Sequence, residues 1–176
     1  QPCSSAASDV YKRQVDNRLE CIWDRFCERP SAIADHSNGD VACDHIARWR
    51  EDFDILLDLN VDAYRFSISW PRVITQEGEL NPKGVAFYKT LVDALNEKGI
   101  KPFVTLYHWD LPQHLEDKGG WLYRQTAFAF EDYVDKITQA LGESVFSYAT
   151  FNEPFCSAYL GLSLIHISEP TRLGAI

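Results

Sequence analysis

Pro102-Phe103-Val104-Thr105-Leu106-Tyr107-His108-Trp109-Asp110 is an apolar run that stops abruptly at a polar and aromatic cluster. Its length suits a short buried strand better than a helix, and β-branched and aromatic residues dominate it. Before it, Asn81 is placed to cap a helix, Pro82 fits that helix's first turn, and Gly99 can supply the left-handed residue that ends it. The apolar stripe of this helix is Val85, Tyr88, Leu91, Val92 and Leu95. Further back, Asp62 to Ser69 alternates as a strand does. Tyr64, Phe66 and Ile68 share one face; Ala63, Arg65, Ser67 and Ser69 share the other. Val41 to Leu59 carries Ile46, Trp49, Phe53, Leu56 and Leu57 at helical spacing, with Asp40 as a possible N-cap. Glu51, Asp52, Asp54 and Asp58 form its solvated face.

After the run, a loop punctuated by Gly and Pro leads to a third helix lined by Phe130, Tyr133, Val134, Ile137 and Leu141, stopped near Gly142. Val145 to Phe151 is the last strand. Alternation of helices and strands implies an α/β fold, a parallel sheet with helical crossovers. An open doubly wound sheet and a β/α barrel both fit. Three successive strands end in polar or aromatic clusters: Arg65 through Trp70, His108 through Asp110, and Asn152 with Glu153. Barrel enzymes collect their chemistry at such strand ends, which favours the barrel. A dinucleotide-binding sheet would show a glycine-rich first turn, and no G-x-G-x-x-G occurs.

The third cluster, Thr150-Phe151-Asn152-Glu153-Pro154-Phe155, sets an amide beside a carboxylate at the tip of a strand. Sugar hydrolysis needs that pair: the carboxyl gives a proton to a glycosidic oxygen and the amide holds a neighbouring hydroxyl. The formal charge of −9 argues against nucleic acid or an anionic membrane surface as partner. No stretch approaches the ~18 apolar residues of a membrane-spanning helix. Five cysteines, odd in number and without a C-x-x-C pair, indicate neither a disulfide framework nor a zinc site; reduced thiols in a cytoplasm fit better. Aromatics reach 13 % with five Trp, which core packing explains as readily as sugar stacking.

Several blocks in series resemble glycoside hydrolase family 1, the β-glucosidase family. They are Ile22-Trp23-Asp24, Gly39 through His45, Tyr64 through Arg72, Pro102 through Pro112, Gly119-Gly120-Trp121 and Thr150 through Pro154. The resemblance implies strands 2–4 of a (β/α)8 TIM barrel with their helices. It makes Glu153 the acid/base carboxyl of a retaining enzyme, with Asn152 on the sugar 2-hydroxyl and His108 and Trp109 on the same ring. Arg65 would lie below the ring, keeping the partner carboxylate ionised. Taken singly, Arg65 reads equally well as a structural ion pair and His108 as a satisfied polar residue; together at three consecutive strand ends they read as a site. Cys156 is expected to be a small buried hydrophobe, and Asp110 to orient its loop. Phe155 stands where many relatives carry Trp.

The resemblance also places the family's nucleophile in an Ile/Val-Thr-Glu-Asn-Gly block, which this sequence does not contain. The implied parent hydrolyses terminal β-D-glucosyl residues of cellobiose-like or aryl β-glucosides, small molecules, without metal or cofactor. The chain alone is then expected to be inactive, since a retaining glycosidase needs both carboxylates. A phospho-β-glucosidase segment and a non-catalytic carbohydrate-binding remnant remain open. Residues 1–14 and 162–176 do not continue the family pattern and resemble translated sequencing-adapter read-through. They are expected to be non-native or disordered ends around a partial barrel at 15–161, with the true N-terminus missing, because no methionine occurs.

Overall fold

A computed structural model describes residues 16–35, 38–39 and 43–163. Residues 1–14 and 164–176 lie outside that set, as does Asp40, the expected N-cap. Helices α1 (Ile22–Cys27) and α2 (His45–Asp58) precede β1 (Ala63–Ser67) and a single turn, α3 (Trp70–Val73). Then come α4 (Pro82–Glu97), β2 (Lys101–Tyr107), the short α5 (Gln113–Glu116), α6 (Arg124–Leu141) and β3 (Ser147–Phe151). A π-helical segment, Cys156–Ser163, follows.

The strands lie in the order β1-β2-β3, all parallel, with Arg65 opposite Phe103, Ser67 opposite Thr105 and Tyr107 opposite Phe151. Parallel neighbours require crossovers, which α4 and α6 supply. Their boundaries follow the local chemistry. Asn81 Oδ1 accepts from Lys83 N–H at 3.3 Å at the start of α4, and Gly99 just past its end has φ +74°. That left-handed turn is one a glycine takes without steric cost.

The core lies between the sheet and these two helices. Phe66, Val104 and Leu106 meet Tyr88, Leu91, Val92, Leu95, Tyr133 and Ile137, all buried. Trp70 stacks on Tyr133 with centroids 5.1 Å apart. Two tyrosine hydroxyls inside this core have partners: Tyr88 Oη accepts from Ser69 N–H at 2.8 Å, and Tyr133 Oη donates to Leu106 O at 2.9 Å. Gly84 is required because α4 crosses α3 so closely that a Cβ there would lie 2.2 Å from the Arg72 carbonyl oxygen.

Several expectations shift. All three strands keep their places, but β1 and β3 are shorter than the alternation suggested, ending at Ser67 and beginning at Ser147. Helix α2 starts at His45, after a left-handed Asp44. Leu57, expected on its apolar stripe, is exposed along with Ile55 and Leu59, so only Trp49 and Phe53 of the large apolar residues there are buried. Helix α6 starts six residues before Phe130, and the turns α1, α3 and α5 were too short to show a periodicity.

Candidate active site

Because the three strands are parallel, their C-terminal ends open on one side of the sheet, and the residues expected at the site meet there. Arg65 on β1 ties the group together. Its Nε donates to Thr105 Oγ1 on β2 at 3.0 Å, and its Nη2 donates to Asn152 Oδ1 beyond β3 at 2.9 Å. A planar guanidinium with several fixed donors suits such a span, whereas an ammonium would not bridge two acceptors with the same geometry.

Asn152 is buried and held on every polar atom but one. Its N–H donates to Tyr107 O at 2.9 Å, carrying the β2–β3 ladder one residue past the strand. Its carbonyl accepts from Trp109 Nε1 at 2.9 Å, and its side-chain oxygen accepts from Arg65. Since guanidinium only donates, the amide must turn its oxygen to Arg65 and leave Nδ2 pointing elsewhere as a donor.

Glu153 follows in a left-handed conformation, φ +45°, with its side chain exposed. Trp109 is also left-handed, φ +77°. Such backbone costs about 1–3 kcal/mol at a non-glycine residue and persists only where surrounding contacts over-determine it. Cys156 supplies some of them for Glu153: its N–H donates to Glu153 O at 2.8 Å and its Sγ to Glu153 Oε2 at 3.2 Å. The expectation for Cys156 therefore fails, because the thiol is only partly buried and faces a carboxylate. That hydrogen bond, with burial and the charge of Glu153, raises the thiol above its ordinary range.

His108 sits between these groups, half-buried, its ring 5.2 Å from that of Trp109. Burial lowers its pKa below 6.5, the charge of Arg65 lowers it further, and Glu153 opposes both. The imidazole is thus neutral near pH 7 and can both donate and accept. Asp110 is buried, in keeping with a loop-orienting role. Beneath the site, Tyr107, Trp121, Phe130 and Phe151 form a connected aromatic cluster, and Trp121 Nε1 donates to Tyr107 Oη at 3.0 Å. A cavity of about 250 Å³ beside it is lined by Trp121, Phe151, Pro154, Ser157, Ala158 and Leu162.

Glycosyl hydrolase family 1 matches residues 4–169. The chain belongs to that family. Beta-glucosidase A of Acetivibrio thermocellus is 50 % identical over 147 residues, which is 83 % of this chain and 33 % of that protein. The crystal structure of the β-glucosidase from Exiguobacterium antarcticum superposes with a TM-score of 0.82 at 45 % identity, covering 85 % of this chain and 34 % of that one. The virulence factor SghA of Agrobacterium tumefaciens, solved with its substrate analog salicin, gives 0.81 at 47 % identity, covering 85 % of this chain and 33 % of that one. The chain thus spans about a third of the length of the relatives it matches. Its three-stranded parallel sheet is part of a (β/α)8 barrel, as expected. Among the described residues no helix is long and apolar enough to cross a membrane.

Sequence reasoning missed three contributors. Thr105 was one apolar-run residue among six. Trp23 lay 86 positions from Trp109, whose carbonyl its indole Nε1 reaches at 2.7 Å. Cys156 carried a signal that went unused, since i,i+3 spacing after a strand end can return a side chain to residue i.

Proposed function

We propose that this chain carries the acid/base half of a retaining β-glucosidase site, with Glu153 as proton donor. One observation carries the reading: Arg65 Nη2 on Asn152 Oδ1 at 2.9 Å. That bond orients the amide so that Nδ2 donates to a sugar hydroxyl next to the scissile bond, while the following residue, Glu153, faces solvent where a glycosidic oxygen can reach it. His108, neutral and able to donate and accept, and the Trp109 ring would contact the same sugar. Proton donation from Glu153 assists departure of the leaving group, and the resulting carboxylate then removes a proton from the attacking water. The partner carboxylate has no counterpart in this sequence, so it must come from elsewhere in a full-length barrel. Arg65 would keep that partner ionised. The salicin bound to SghA supports a small aryl β-glucoside as the substrate class.

A chimaera tests this: residues 16–163 replace the matching third of the Acetivibrio thermocellus relative. The isolated chain is expected to release no chromophore from an aryl β-glucoside, whereas the chimaera is expected to do so. Glu153→Gln in the chimaera should cut turnover of glucosides with poor leaving groups by about 10²–10⁴, and spare activated ones much more. Added azide should restore turnover of the activated substrates by replacing the base-assisted water. Uniform activity across leaving groups in the variant would remove Glu153 from the role.

A further inference from the structure

The segment from Arg18 to Asp24 is strapped across the loops that follow β1 and β2. Leu19 N–H donates to Pro71 O at 2.8 Å, Ile22 N–H to Leu111 O at 3.0 Å, and Gln113 N–H to Glu20 O at 2.9 Å. Cys21 and Pro112 form an antiparallel bridge in the middle. A buried ion pair fastens the strap to itself. Arg18 Nη1 lies 2.9 Å from Asp24 Oδ2, with side-chain exposures of 0 % and 7 %, and the same oxygen accepts Cys21 N–H at 2.7 Å. A pair so enclosed fixes its segment, because breaking it would strand a buried charge.

From this anchored segment Trp23 reaches the site. Its Nε1 donates to the Trp109 carbonyl at 2.7 Å, while the Trp109 indole donates to the Asn152 carbonyl at 2.9 Å. The Trp23 ring itself rests edge-on against Phe26. We propose that Trp23 is a positioning residue for the His108–Trp109 turn. The turn is clamped at the carbonyl by Trp23 and at the indole by Asn152, which holds residue 109 in a left-handed backbone that a tryptophan disfavours. The clamp keeps His108 where the charges of Arg65 and Glu153 both act on its ring. Its meaning for catalysis rests on the glycosidase reading of the site; the clamp itself does not.

Nuclear magnetic resonance on the full chain tests it, comparing the native protein with Trp23→Phe, which keeps an aromatic ring against Phe26 and removes only the donor. Hydrogen exchange of the Trp109 indole N–H should quicken about five-fold, the effect of losing one ordinary hydrogen bond from the clamp. The His108 titration should move up toward 6.5 as the ring gains solvent, while the His114 titration and the Trp49 and Trp121 indoles stay as they are. No change at Trp109 and His108, or an equal change at all indoles, overturns the assignment. If Trp23→Phe does not fold, the native chain decides: the Trp23 and Trp109 indole protons must exchange slowly and at matching rates. A Trp23 proton exchanging like a free indole in the folded protein also overturns it. Loss of the acid/base role for Glu153 in the chimaera would leave these resonances untouched, so the two readings fail separately.

Discussion

Replacing Thr105 by Val removes the acceptor that holds the inner edge of Arg65 while keeping the shape of the side chain. Thr105 is 1 % exposed, and its Oγ1 lies 3.0 Å from Arg65 Nε. A hydrogen bond to a charged group contributes about 1.5–3 kcal/mol when shielded. Arg65 is exposed, so solvent screening brings the loss to about 1–1.5 kcal/mol. With Nε released, the guanidinium can swing away from Asn152, and the amide loses the contact that turns Nδ2 outward. In the chimaera the expected result is a fall in kcat/KM of about five- to ten-fold on an aryl β-glucoside. The thermal midpoint should fall by only a few degrees, the shift that a loss of this size produces in a large domain. Thr105→Ser keeps the acceptor and should retain most of the activity. Unchanged kcat/KM in Thr105→Val would refute the reasoning, by showing that Asn152 alone fixes Arg65.

Two further outcomes concern stability. Gly84→Ala should lower the urea midpoint by an amount worth about 2 kcal/mol or more, because the clash at 2.2 Å is with backbone and outweighs the ~1 kcal/mol gain in helix propensity; an unchanged or raised midpoint would mean that α3 yields freely. His108 and His114 both have lowered folded pKa values, through burial first and a neighbouring cation second. Such groups bind protons more readily when unfolded, so their stabilisation is complete above about pH 6.5 and is lost as pH falls from there through the folded midpoints. Denaturation curves between pH 7.5 and 5 should show this decline, and His108→Gln should flatten it; identical slopes would count against His108 as a contributor.

The sequence alone determined the alternation of helices and strands, the parallel sheet, the place of Arg65 on the first strand and the strand-end position of His108, Trp109, Asn152 and Glu153. Those properties are local: a period of two or 3.6 residues, a cap at Asn81, a left-handed stop at Gly99 and a change from apolar to polar at the end of a run. Tertiary structure decided how those ends are joined. Thr105 under Arg65, the amide orientation of Asn152, and Trp23 on the Trp109 carbonyl are contacts across 40, 87 and 86 positions, and no periodicity encodes them. Exposure of Leu57 was likewise beyond reach, because a stripe on α2 records which residues are apolar but not how wide a face the neighbouring elements cover. Spacing along one element is set by backbone geometry, whereas the partner of a side chain is set by where another element's backbone ends.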